Sequence, residues 1–391
     1  MLYEKYENLL ELHTKEINEV YGKKLNVRSS KQVGKFIYEF LNCPAHTHVT
    51  ELGHLAYDTD EDTLVNICCN EVRDESTQRL VKQIVFCRKI HSMLNLIETP
   101  YHYDGRMRTH YNLAGTKTGR TSTAQAVGGF IKLVNKRIKA CKFGTAFQKI
   151  PRRPFDGFES DKFGEDIRKM FIPTPGYEFF ALDGKNAEGR VVCVLAKDWE
   201  TLEYIESGND LHTLTASWIY QKSLEKISPE ERDMGKRARH AGNLGQSGAG
   251  LSPQVGKSIS YCNDVMRRFH KNAPNVQSIF QKGVENLIKG PCSLTNPFGR
   301  RRDFLSYSKQ KEYDVFKEAY SFLPQGTVSD HFKQVSLDIA KEAPWAYQLM
   351  EAHDGLLYEI PIGCREEFKN IVLKATSRKI NFSECSLQRD F

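Results

Sequence analysis

The chain has 391 residues, 40% of them hydrophobic, with 27 glycines, 14 prolines and a net charge of +7, a globular composition long enough for two or three domains or subdomains. No run of about 18 apolar residues occurs, so no membrane span is expected, and the opening Met1-Leu2-Tyr3-Glu4-Lys5-Tyr6-Glu7 carries acids and no apolar stretch, unlike a secretory signal. Ten cysteines without a Cys-x-x-Cys pair or a zinc spacing read as reduced thiols of a cytoplasmic protein.

Residues 1–100 read as mostly helical. Apolar residues from Leu2 to about Val20 are spread among many charges, Ser29 and Ser30 open a second helix with Val33, Phe36, Ile37, Phe40 and Leu41 at helical spacing, and Thr77 to Leu96 forms a further amphipathic segment. From Tyr101 to Tyr111 the pattern alternates like a hairpin around an Asp104-Gly105 turn pair. Gly115 to Ser122 follows, rich in Gly, Thr and cations, and 126–165, with Pro, Gly and basic residues, reads as loops with short elements. Lys132, Lys136, Arg137, Lys139 and Lys142 cluster there, and Arg300-Arg301-Arg302 form a triplet later; such runs are solvated faces or contacts to a phosphate backbone.

Two carboxylates stand in strand-like frames. Asp183 ends the apolar run Tyr177-Glu178-Phe179-Phe180-Ala181-Leu182, and Asp354 follows His353 and precedes Gly355-Leu356-Leu357-Tyr358-Glu359-Ile360. Strand-end carboxylates far apart in sequence can meet over one sheet and hold a pair of divalent ions about 4 Å apart, an arrangement suited to phosphoryl transfer. Between them, 200–290 returns to helix. Ser228-Pro229-Glu230-Glu231 supplies an N-cap, a proline at the first helical position and a capping box. Along that helix Arg232, Lys236 and His240 recur at intervals of four, so they share a face, and Leu244 continues the stripe. No acid stands among them, which suits a polyanion such as a triphosphate. Residues 290–391 alternate strands and helices, and no internal repeat is evident.

The order of these motifs resembles the polymerase half of a family A DNA polymerase, the group of bacterial DNA polymerase I and many phage replicases. Thr118-Gly119-Arg120-Thr121-Ser122 resembles the family's T-G-R-x-S, and Gln148-Lys149-Ile150-Pro151 the Gln-Asn-Ile-Pro that follows it. Asp183-Gly184-Lys185-Asn186-Ala187-Glu188-Gly189-Arg190 resembles motif A, D-Y-S-Q-I-E-L-R, and Asp210-Leu211-His212 the D-[IL]-H segment. Arg232, Lys236, His240, Leu244 and Gly245 match the spacing of motif B, R-x3-K-x3-[FY]-x3-Y-G. Phe298 to Arg302 and Gln325-Gly326-Thr327 resemble duplex-touching segments, and His353-Asp354 resembles motif C, H-D-E. The matches run over nearly the whole chain.

The resemblance implies an α+β right hand: a helical thumb over 1–105, a palm with an antiparallel sheet built from 106–200 and 290–391, and helical fingers over 201–289. It implies template-directed DNA synthesis in replication or repair, from dNTPs onto a primer 3′-hydroxyl. Asp183 and Asp354 are the implied catalytic residues and ligands of two Mg²⁺ ions. Arg232 and Lys236 are implied for the triphosphate, His240, Glu188 and Leu244 for the rest of the nucleotide, with Glu188 under the sugar. Arg120, Gln325, His353, Arg301 and Arg190 are implied for primer-template DNA. A separate exonuclease or processivity subunit is a possible partner, since no 3′–5′ exonuclease motif precedes the helical region. Four positions depart from the family pattern: Gly184 for an aromatic, His240 for Phe or Tyr, Leu244 for Tyr, and Gly355 for a second acid. Those departures leave a weakened, nucleic-acid-binding relative open as an alternative, alongside an RNA-synthesising relative on the same hand and a two-carboxylate nuclease.

Overall fold

The structure is a computed structural model that describes residues 2–99, 101–102, 104–113, 115–134, 137–150, 163–352 and 354–387. The N-terminal region is helical: α1 (Leu2–Tyr21), α2 (Ser30–Gly34), α3 (Glu61–Asn66) and α4 (Glu75–Ile97), with a small hairpin, β1 (Thr47–Val49) and β2 (Leu55–Tyr57), between the second and third. Ser29, Asp60 and Asp74 cap α2, α3 and α4, their side chains accepting from Gln32, Thr63 and Thr77 N–H, which satisfies donors the first turn leaves without partners. Ile17, Val33, Phe36, Ile37, Leu64, Val81 and Ile84 form one buried cluster. Asn70 joins this region to the later helices, donating to Ser252 Oγ at 2.9 Å and accepting from Ile259 N at 2.8 Å.

The next segment corrects two expectations. Asp104-Gly105 does turn the chain, with His102 N donating to Arg106 O at 2.9 Å, but 101–111 is not a self-contained hairpin. Among the described residues of that stretch only β3 (Thr109–Asn112) is a strand, and it pairs antiparallel with β4 (Ser122–Val134). Residues 122–134 and 137–143 are not loops either: β4 pairs antiparallel with β5 (Arg137–Phe143), its register shifting between Val127 and Ile131. Gly128 and Gly129 occupy that shift, where glycine accommodates a bulge. The basic cluster follows this strand pair, with Lys132 in register with Lys139; Lys136 lies outside the described residues.

After α5 (Phe163–Arg168) comes β6 (Tyr177–Asp183), then a run of helices: α6 (Ala187–Leu195), α7 (Trp199–Glu206), α8 (Leu211–Tyr220), α9 (Pro229–Asn243), α10 (Gly248–Val255), α11 (Ile259–Asn272) and α12 (Lys282–Lys289). The short pair β7 (Ser293–Thr295) and β8 (Arg301–Asp303) precedes the long α13 (Glu312–Glu342), and β9 (Tyr347–Ala352), β10 (Gly355–Pro361) and α14 (Arg365–Thr376) close the fold. The central sheet has the order β6-β10-β9, all antiparallel. One face of it packs on α13 and α14 through Leu356, Tyr358, Ile360, Phe332, Val335 and Phe368, within a core that extends to Phe269, Phe280 and Val284 of the later helices. Cys43, Cys68, Cys69, Cys87, Cys193, Cys262, Cys292, Cys364 and Cys385 are free thiols, and no described helix is long and apolar enough to cross a membrane.

Candidate active site

The sheet register sets the centre of the site. Gly355 of β10 lies opposite Asp183 of β6, and also opposite Ala352 of β9. Asp354 therefore sits in the tight turn between two strands, beside the end of the third. Gly184 N donates to Asp354 O at 2.7 Å, and Ala187 N to Gly184 O at 3.2 Å, so the chain leaving β6 turns at once into α6. Asn186, just before that helix, takes φ = 57°, a left-handed conformation that Asn tolerates better than most residues. The turn carries Glu188 on the first turn of α6, facing the same space as both aspartates. Burial pushes the Asp354 carboxyl up, and the charges of Asp183 and Glu188 add to the effect, while Arg120 opposes it. A partly buried cluster of carboxylates without enough positive charge is an environment that favours a bound cation.

Two departures from the family pattern have local explanations. A Cβ at position 184 would lie 2.8 Å from the Phe332 ring and 3.2 Å from Ala187 Cβ. Phe332 of α13 thus fills space next to the strand end, and an aromatic at 184 has no room. A Cβ at position 355 would lie 3.2 Å from Asp183 Oδ1 and 3.3 Å from Leu182 O, so an acid there would start against the first aspartate.

Above the strand ends lies a cavity of about 340 Å³ whose lining includes Asp183, Glu188, Asp210, His212, Arg232, Lys236, His240, Leu244 and Asp354. Helix α9 supplies the roof. Ser228 and Glu231 form the expected capping box at its start, and Met234, Gly235, Ala238 and Arg239 are buried while Arg232, Lys236 and His240 are exposed. Gly235 permits the close approach to α8, for a Cβ there would meet His212 O at 2.4 Å. Leu244 ends the helix and is buried.

The cationic stripe does have acidic partners, which corrects the reading of an unaccompanied row. Arg232 donates through Nε and Nη2 to Asp210 at 2.8 and 2.9 Å, and His240 Nδ1 lies 3.9 Å from Glu188. Sequence reasoning could not see this, because Asp210 becomes a neighbour only when α8 and α9 pack side by side. Lys236 makes no ion pair among the described residues.

Arg120 reaches the same site from the loop before β4 and is ion-paired with Glu188. That loop is clamped by α13: Gly119 O accepts from Ser329 Oγ at 3.1 Å and from Lys333 Nζ. Gly119 has φ = 81°, and a Cβ there would meet Arg300 Nε at 2.5 Å. Gln148 ties the loop to β9, donating to Thr121 O at 3.2 Å and Glu351 O at 3.0 Å. None of the other expected DNA contacts among the described residues lines the cavity itself. Arg190 turns to Glu206 and to Lys185 O at 3.2 Å, Arg301 is exposed and paired with Asp303 at 2.9 Å, and Gln325 is half-buried on α13 beside the cavity-lining Pro324. His353 lies outside the described residues.

Three cavity residues received no role from the sequence. Burial drives the His212 imidazole down to about 4; Asp210 opposes this, and Lys236, Arg232 and Arg239 add to the fall. It is therefore neutral at physiological pH. Arg239 lies between the Trp218 and Phe269 rings, at 4.8 and 5.0 Å, and donates Nε to Thr215 Oγ1 at 3.0 Å. Its burial lowers it to about 10, and its Nη2 has no hydrogen-bond partner among the described residues. Asn243 is buried with its Oδ1 likewise unpartnered. The D-[IL]-H segment pointed to His212; nothing in the pattern marked Arg239 or Asn243.

An antiparallel sheet carrying two strand-end aspartates beneath a cationic helix is the central part of a right-hand polymerase fold. A profile of DNA polymerase family A matches residues 1–388, and the chain belongs to that family. It is 27% identical over 366 residues to DNA polymerase I of Mycobacterium leprae, covering 90% of this chain and 36% of that protein. Against the thermostable DNA polymerase I of Thermus thermophilus it is 24% identical over 373 residues, covering 93% and 40%, and against DNA polymerase I of Geobacillus stearothermophilus 25% over 369, covering 91% and 37%. The chain thus spans 36–40% of the length of these relatives. Among solved structures, the POL domain of Pol1 from M. smegmatis in complex with DNA primer-template and dNTP matches with a TM-score of 0.77 at 22% identity, covering 97% of this chain and 63% of that one. At that identity the likeness speaks for the fold.

Proposed function

We propose that the chain catalyses template-directed transfer of deoxyribonucleotides from dNTPs to a primer 3′-hydroxyl, in DNA replication or repair. The observation that carries this reading is the convergence of Asp183 and Asp354, through the β6–β10 register, at the floor of a cavity roofed by Arg232 and Lys236. A carboxylate floor with a cationic roof matches a nucleoside triphosphate with its reacting end down, and family membership supports the same reaction.

The donor set fits Mg²⁺. Two hard carboxylate oxygens face the cavity, burial and mutual repulsion raise Asp354, and no group of three or more His, Cys, Asp or Glu gathers into a cage among the described residues. Such a site suits an ion that keeps water and substrate oxygens in its shell. Asp183 and Asp354 would hold two ions, which when bound promote attack by the primer hydroxyl and offset charge on the leaving oxygens. The remaining work falls to the chain: Arg232 and Lys236 neutralise and orient the triphosphate, and neutral His212 offers a ring N–H or a ring lone pair beside them. Glu188, held by Arg120, stands below the sugar, with His240 and Leu244 completing the nucleotide pocket.

In this reading 1–105 is the thumb, 106–200 and 290–391 form the palm, and 201–289 the fingers. Arg120, Gln325, Arg301 and Arg190 would meet the primer-template, and His353, which lies outside the described residues, is assigned there by its motif alone. Binding there is chiefly to phosphates, hence salt-sensitive and without sequence readout. A separate exonuclease or processivity subunit would be a partner of the same complex. The test is extension of a labelled primer on a defined template with Mg²⁺ and each nucleotide set in turn. Incorporation that follows the template and favours dNTPs supports the reading; binding of the duplex with no extension overturns it.

A further inference from the structure

Asp210 sits in the cavity, yet an acid is out of place where a triphosphate is to bind. Its carboxylate has two engagements. It caps α8, accepting from Thr213 N at 2.9 Å, and it takes both Nε and Nη2 of Arg232 from α9. Burial opposes ionisation, but the bonds from Arg232 and Thr213 hold the carboxyl well below the usual range, so it is charged throughout the physiological range. A side-on pair of this kind fixes the guanidinium plane. It occupies the Nε edge and leaves Nη1 without a hydrogen bond among the described residues, on a side chain that lines the cavity.

Resting on the polymerase reading above, we propose that Asp210 is a positioning residue for the triphosphate: it locks Arg232 side-on so that the free Nη1 edge meets the phosphates. Arginine can serve both partners because its planar fork offers five N–H donors in fixed directions. Lysine could not do this, since a point charge held by Asp210 would have no fixed second edge. Asp210 also lies 22 residues from Arg232 on a separate helix, so the contact couples the α8–α9 packing to the geometry of the nucleotide site. Locking the guanidinium beforehand lowers the ordering cost of binding.

The Asp210→Asn variant separates the roles. Asn caps a helix about as well as Asp, so a residue that only capped α8 would be replaced without effect on nucleotide use. A residue that only placed unwanted negative charge in the pocket would, on removal, let the nucleotide KM fall. A positioning residue gives the opposite sign: KM for dNTP should rise on the order of tenfold, more than kcat falls, with primer-template Kd unchanged and Tm near that of the wild type. The double-mutant cycle with Arg232→Met is the second measurement. With Arg232 gone, Asp210→Asn should no longer raise KM, and relief of repulsion should lower it slightly. Equal rises in both backgrounds, or an unchanged or lower KM in the single variant, overturn the proposal for Asp210 alone. A wild-type chain that neither extends a primer nor binds dNTP in an equilibrium titration overturns the polymerase reading and this inference with it.

Discussion

Asp183 and Gly355 face each other across the β6–β10 ladder, and Gly184 N is bonded to Asp354 O at 2.7 Å. This pairing brings two carboxylates 171 positions apart in the chain onto one sheet edge, where burial and mutual repulsion raise Asp354. The sign of the consequence follows. A carboxyl raised in the folded state costs stability as pH climbs from the unfolded value through the folded one, and the cost is complete above both. In chelator at about pH 7.5, Asp354→Asn should therefore melt higher than the wild type, even though the polymerase reading expects it to lose activity, and the difference should vanish below about pH 4. Magnesium should narrow the gap by stabilising the wild type. An Asn variant that melts lower at neutral pH and gains nothing on removal of the ion would contradict this electrostatic picture.

Glu188 is paired with Arg120 and lies within 3.9 Å of His240. If it bounds the sugar pocket, Glu188→Ala should raise ribonucleotide over deoxyribonucleotide use, read as the ratio of the two kcat/KM values. Arg120→Met, which frees Glu188 to move, should shift the ratio the same way by less. An unchanged ratio in Glu188→Ala would remove its sugar-selecting role while leaving polymerase activity intact.

Gly184 and Phe332 share one space. Gly184→Ala should destabilise by about 1–3 kcal/mol through overpacking, measured by chemical denaturation. Adding Phe332→Leu should recover part of that loss. Two additive losses would mean that the residues do not compete.

Lys236 has no ion-pair partner among the described residues, unlike Arg232. Lys236→Ala should lower kcat/KM for dNTP by about 30- to 150-fold, or roughly 2–3 kcal/mol, through KM and kcat together. Primer-template affinity should stay nearly constant. Weaker DNA binding with normal nucleotide use would place the stripe on the duplex.

The parts legible in the sequence are those written locally. The capping box of α9, the four-residue stripe and the strand ending at Asp183 need only a few neighbouring residues to specify them. The long β4–β5 pair escaped because glycines and cations interrupt its alternation, so the period-two signal failed where the register shifts. The Asp210–Arg232 and Arg120–Glu188 pairs escaped for another reason: each joins separate elements, and packing alone makes them neighbours. Phe332 filling the space beside Gly184 is of the same kind, a compensation between distant positions that the departure at 184 did not disclose.

The most direct measurement is the single-turnover rate of one-nucleotide incorporation by Asp183→Asn and by Asp354→Asn, each alongside its primer-template Kd. If the two strand-end carboxylates form the reaction centre, each variant should lose nearly all incorporation while binding the duplex within a few-fold of wild type. Retention of more than about a tenth of the wild-type rate in either variant, a barrier change of under roughly 1.4 kcal/mol, would contradict it.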